Sequence, residues 1–148
     1  MVLKKQSNIG ERKLNEKMIG ISEMKTIHKD ARGTIYGFYF GDTEYILLVT
    51  NKGFARGGCI HRFHDEHAVI LKGSVEYHIR GKPVKVFKEG DTVLVKKNTP
   101  HYFIALKPSI VMEWGPFPEE KIERHPKWRR TVEKINERKK ERLRRCES

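Results

Sequence analysis

Residues 56–73 read RGGCIHRFHDEHAVILKG, and the rest of the chain is understood from this stretch outward. Between Cys59 and Leu71 lie three histidines (His61, His64, His67), one cysteine and two carboxylates, Asp65 and Glu66. Imidazole, thiolate and carboxylate are the groups that bind transition metals or move protons near neutral pH. A strand pair built only for packing has little reason to collect them. Cys59 and His61 stand two apart, so a β-strand over 59–63 would project both from one face. Glu66 follows a short polar break, and the apolar run 68–71 leads to a turn at Lys72-Gly73. A second stretch, residues 90–101 (GDTVLVKKNTPH), delivers one more histidine, His101, just after an alternating apolar run.

Short strand-like runs extend in both directions from this region, at 24–27, 34–40, 45–50, 59–63, 68–71, 74–79, 84–87, 92–95, 102–106 and 110–114. Gly, Asn, Asp and Pro clusters separate them, for example Gly41-Asp42, Asn51-Lys52-Gly53 and Asn98-Thr99-Pro100. Many short strands at such spacing predict an antiparallel sandwich or barrel over 24–116. Residues 1–23 are polar, with Leu14, Met18 and Ile21 spaced for an arm or a short amphipathic helix. Residues 117–148 form a basic tail whose helical pattern runs over 119–143. Pro126 is expected to divide that helix, and Trp128, Val132 and Ile135 form its inward stripe.

At 148 residues the chain is long enough for one domain with a real core. No apolar run approaches the length of a membrane span, and the lysine-bearing N-terminus has no apolar stretch behind it. The expectation is a cytoplasmic protein without a membrane partner. Cys59 and Cys146 sit in such different settings that a disulfide between them is not expected. The net charge of +12 raises the question of nucleic acid. A Lys/Arg/Glu-rich helix is most simply a solvated one, so nucleic-acid binding rests on charge alone and ranks last.

The two histidine-bearing stretches resemble the paired motifs of the cupin superfamily. In the first motif, G-x5-H-x-H-x(3–4)-E-x6-G, His61 takes the second histidine position, Glu66 the glutamate and Gly73 the closing glycine; Cys59 replaces the first histidine. In the second, G-x5-P-x-G-x2-H-x3-N, Gly90 and His101 match, while Lys96, Asn98 and Ala105 replace the other signature residues. Two further fragments, DARGTI at 30–35 and RGGCIH at 56–61, are similar to motifs of the dTDP-keto-sugar epimerase and ketoisomerase (RmlC-like) cupins. The resemblance implies an all-β, single-domain jelly-roll barrel with a C-terminal helical tail, pairing as a homodimer. It also implies a small-molecule enzyme, a sugar-nucleotide isomerase or epimerase. There His61 would move the proton, and Arg56 and Arg32 would contact the substrate, a nucleotide sugar.

Two kinds of chemistry compete for the same residues. For a metal, His61, Glu66 and His101 offer two neutral nitrogens and a carboxylate, suited to one Fe(II), Mn(II), Ni(II) or Zn(II) ion. Cys59 would add a thiolate, which favours zinc or iron. The protein would then be a metalloenzyme or a ligand sensor. For acid–base work no metal is needed: His61 or His101 takes the proton next to a carbonyl, and Tyr77 or Tyr102 returns it. Simpler roles stand beside these. Cys59 also reads as a small buried hydrophobe, His64 and His67 as exposed connection residues, and His78 as an outward strand residue. Trp114 reads as a core or interface aromatic.

Overall fold

The computed structural model describes residues 23–116 and 122–147. Period-two alternation produces eleven strands: β1 Lys25–Asp30, β2 Gly33–Phe40, β3 Thr43–Thr50, β4 Ala55–Ile60, β5 Glu66–Lys72, β6 Ser74–Ile79, β7 Lys85–Lys88, β8 Thr92–Val95, β9 His101–Ala105, β10 Ser109–Trp114 and β11 Glu123–Arg124. One helix, α1 Pro126–Glu147, closes the described chain. The strands form two antiparallel sheets, ordered β1-β2-β3-β10-β5-β8 and β11-β4-β9-β6-β7. Inward residues of both sheets meet in a core of Leu48, Ala68, Ile70, Val75, Tyr77, Ile79, Val93, Val95, Phe103 and Val111. β8 shows the cause plainly: Val93 and Val95 are buried, whereas Thr92 and Leu94, on the other face of the pleat, are exposed.

Helix α1 lies on the outer face of β4 and β9. Trp128, Val132 and Ile135, the expected inward stripe, pack against Ala55, Tyr102 and Ile104. On another side of the helix, Lys127, Arg130, Lys134, Arg138 and Arg142 recur at helical spacing and are all exposed. Gly58 makes the close approach possible. Its φ is +83°, and a Cβ there would sit 2.7 Å from Arg129 Cα and 2.9 Å from Arg129 N. Only glycine meets both conditions without strain.

Three expectations are corrected. The strand over 59–63 instead runs Ala55–Ile60, because Gly57 and Gly58 hold left-handed φ values and a register shift separates Gly57 from Cys59. Pro126 does not divide the helix but opens it, at the position where a missing N–H costs nothing. His125 caps that end: its Nδ1 accepts from Trp128 N at 3.5 Å. Glu123-Arg124, placed in the helix by periodicity, instead form β11, a short edge strand paired with Cys59-Ile60. The helix or arm suggested by Leu14, Met18 and Ile21 lies outside the described residues.

Candidate metal centre and cavity

The sheet order brings together what the sequence holds 40 residues apart. His61 follows β4 directly and is held by its carbonyl, which accepts from Asn98 N at 2.6 Å. Glu66 opens β5 and His101 opens β9, both buried. The two oxygens of Glu66 each face one imidazole: Oε1 is 2.8 Å from His61 Nε2, and Oε2 is 3.1 Å from His101 Nε2. One ligating atom from each of the three residues falls within 4.8 Å of the others.

The charges in this cluster depend on one another. Burial works against an ionised Glu66, but His101, by charge and hydrogen bond, and His61 outweigh it and bring the carboxyl down to about 2. Burial likewise disfavours a charged His101, yet Glu66 and the Thr99 carbonyl raise its pKa above 6.5. Beside them stands Glu113 of β10, a residue that motif reasoning missed. Burial, then the charge of Glu66 and a hydrogen bond between the two carboxyls, holds Glu113 well above the usual carboxylate range. A signal for it existed: Glu113 is the one carboxylate in the apolar run SIVMEW, two residues from fully buried Val111.

The donor set fits a divalent metal. His101 Nδ1 lies 3.0 Å from the carbonyl of Thr99, which can only accept, so Nδ1 carries the hydrogen. Once Nε2 gives up the proton that faces Glu66, the neutral ring would present its Nε2 lone pair to the cluster, in the tautomer that a metal ligand needs.

The cluster lies in the wall of a cavity of about 450 Å³. Of the sequence-predicted residues, Arg32, Arg56, Cys59, His61, Glu66 and His101 line it. Cys59 lies outside the group whose ligating atoms converge, although β4 and β9 pair it with His101. Burial also pushes the Cys59 thiol up, against the thiolate that a metal would take.

Tyr77 and Tyr102 are not brought to this cavity. Tyr77 is in the apolar core against Phe87 and Phe103 and lines a second cavity, with Pro83, Val84 and Leu94. Tyr102 follows His101 directly, so the pleat turns it outward, stacked on His78 at 4.4 Å and edge-on to Trp128. Proton return from either hydroxyl to a molecule beside His61 is therefore not supported by this arrangement. His67 is exposed and stacks on Trp114, which does line the cavity. Arg124 and Arg129 of the tail line it too, a role that the helical pattern gave no sign of.

Comparison with known proteins agrees with the architecture. No curated protein sequence matches the chain. Residues 53–114 match the Cupin domain family. Among solved structures, an RmlC-like cupin from Shewanella frigidimarina superposes with a TM-score of 0.57 at 16% identity, covering 68% of this chain and 96% of that one. Capsular polysaccharide assembling protein CapF from Staphylococcus aureus gives a TM-score of 0.57 at 12% identity, covering 70% of this chain and 32% of the other. An oxalate decarboxylase gives 0.60 at 16% identity, with 70% and 31% covered. At these identities the likeness is one of fold. The two antiparallel sheets, the domain match and these neighbours together show that the chain folds as a single-domain cupin with one C-terminal helix.

Proposed function

We propose that the protein is a small-molecule cupin enzyme whose cavity holds one divalent metal on His61, Glu66 and His101. The observation that carries this reading is the convergence of two imidazole Nε2 atoms and one carboxylate, with His101 fixed in the ligating tautomer by Thr99. Two nitrogens and one oxygen suit Fe(II), Mn(II), Ni(II) or Zn(II). Such an ion supplies Lewis-acid polarisation of an oxygen on the bound molecule. The protein's own part is to hold Glu66 and His101 at the starts of β5 and β9 and His61 just after β4, and to line the site with Ile35, Ile46, Leu48, Phe103 and Trp114.

The test is metal content by mass spectrometry on untagged protein, beside a His61→Ala/His101→Ala double variant. Near-stoichiometric metal lost in the variant supports the reading. No metal in the wild type, even after reconstitution, removes it.

A second reading keeps the keto-sugar chemistry, with His61 as the proton-transfer base and no metal. Its support is the Glu66 carboxylate 2.8 Å from His61 Nε2, together with Arg32 and Arg56 in the same cavity. Solvent deuterium entering a keto-sugar nucleotide, abolished by His61→Asn, is the expected result; no exchange removes it. For either chemistry the assembly is read as a homodimer. β1 is exposed along all six residues at the open edge of its sheet, a surface that proteins usually cover.

A further inference from the structure

The cavity has a basic wall that neither the metal cluster nor the cupin match accounts for. Four arginines line it: Arg32 of the β1–β2 turn, Arg56 of β4, Arg124 of β11 and Arg129 of α1. Arg56 is only 3% exposed. Its Nε donates to Thr50 Oγ1 at 3.2 Å and its Nη2 to Val49 O at 3.3 Å, while buried Nη1 has no hydrogen-bond partner among the described residues. No carboxylate among the described residues forms an ion pair with Arg56. Burial, and then the charge of Arg32, push its pKa down to about 10, which still leaves it charged near neutral pH. A buried cation with an unmet donor is costly unless something anionic meets it.

Of the nearby carboxylates, Asp30 and Glu66 are already engaged, while Glu44 and Glu113 also line the cavity and form no ion pair with the four arginines among the described residues. Asp30 is clasped by Arg32, whose Nε and Nη2 both donate to it. Glu66 is shared by two histidines, and Glu113 is hydrogen-bonded to Glu66. Arg129 gives Nη1 to Gly57 O and Nε to Glu133. Arg124 makes no ion pair among the described residues.

Two of these arginines belong to the tail, beyond residue 114 where the cupin match ends. The tail is held against the barrel by built contacts: β11 pairs with β4, His125 N donates to Gly58 O, and Gly58 leaves room for Arg129. We infer that the β11–α1 segment is the specificity wall of this cavity, and that Arg124 and Arg129, with Arg56 and Arg32, recognise an anionic group on the small-molecule ligand. That group is a carboxylate or a phosphate, because guanidinium forks match the planar or tetrahedral oxygens of either. The rest of the ligand lies against the apolar wall of Ile46, Leu48 and Trp114. The inference deepens the proposed function and rests on its choice of this cavity as the ligand site.

The test is calorimetric titration of the full chain, stripped of metal, with malonate, orthophosphate and the neutral analogue malonamide. Wild type is expected to bind one anion saturably and malonamide not at all. Tighter malonate assigns a carboxylic acid, and tighter phosphate a phosphate ester. Arg56→Met should weaken the preferred anion at least tenfold and Arg124→Met at least threefold. Arg142→Met, exposed on the far part of α1, should leave it unchanged. Arg56 is buried and its variant can misfold, so exposed Arg124 keeps the test decisive, with thermal melts confirming the fold. No saturable anion binding by wild type overturns the inference, as does equal binding by wild type and Arg124→Met, or equal loss in Arg142→Met. Repeating the titration after metal loading separates the two ideas. Anion binding without any metal uptake leaves this inference standing and removes the metal centre; metal uptake without anion binding does the reverse.

Discussion

Asn136 of α1 pairs with Ala55 of β4 as a neighbouring strand would. Its Oδ1 accepts from Ala55 N at 2.7 Å, and its Nδ2 donates to Ala55 O at 3.1 Å. Both groups are buried, so this one amide satisfies backbone that the sheet leaves open at that point. Asn136→Leu should cost about 2–6 kcal/mol, since the two buried backbone groups left unpaired each forfeit about 1–3 kcal/mol. Urea unfolding of the two proteins measures the difference. A change below the error of the extrapolation would show that water replaces the amide.

Gly58 should tolerate no side chain. At φ +83°, with Arg129 backbone 2.7 Å from a new Cβ, Gly58→Ala must move either β4 or α1. The left-handed conformation alone costs a non-glycine residue about 1–2 kcal/mol. The expected outcome is a tail released from the barrel and cleaved faster by trypsin between Lys127 and Arg145, while the barrel stays folded. Wild-type cleavage rates would contradict it.

The stability of the metal-free protein should depend on pH through Glu66 and His101. The Glu66 carboxyl falls from 4.5 to about 2, so its contribution is complete above about pH 4.5 and is lost as pH drops towards about 2. The His101 pKa rises above 6.5, so its contribution is complete below 6.5 and is lost as pH climbs through the raised value. The pair is therefore worth most between about pH 4.5 and 6.5, with His61 and Glu113 facing the same carboxylate. In that window Glu66→Gln should lower stability by about 3 kcal/mol, the lower end for breaking a buried pair. Thermal melts of EDTA-treated protein across pH check it, and a variant whose deficit is the same at every pH would refute it.

Cys59→Ala should keep full metal occupancy. The thiol lies outside the three converging ligands, and burial holds it protonated. Metal analysis after dialysis is the measurement; loss of metal in this variant would place sulfur in the centre after all.

Tyr77→Phe should leave the fold intact and raise stability by about 1 kcal/mol, because it removes a buried hydroxyl that has no hydrogen-bond partner among the described residues. Denaturant midpoints of the two proteins decide it. A marked loss of stability would reveal a partner for the hydroxyl.

The sequence by itself determined the barrel and the three residues of its cluster. Strand alternation and turn residues are local signals, and the intervals from His61 to Glu66 and from Gly90 to His101 sit beside turns that leave little freedom. Tertiary structure alone decided which faces turn inward and which distant segments share a wall. Tyr102 and His101 are adjacent in sequence, yet the pleat sends one to the helix and the other to the cavity. Arg124 and Arg129 look like any solvated basic residues until β11 pairs with β4 and the bare backbone of Gly58 lets α1 settle there. Glu113 becomes chemically distinct only when β10 lies beside β5, because its burial, and the Glu66 charge that adds to it in raising the pKa, come from packing against neighbouring strands and not from its own.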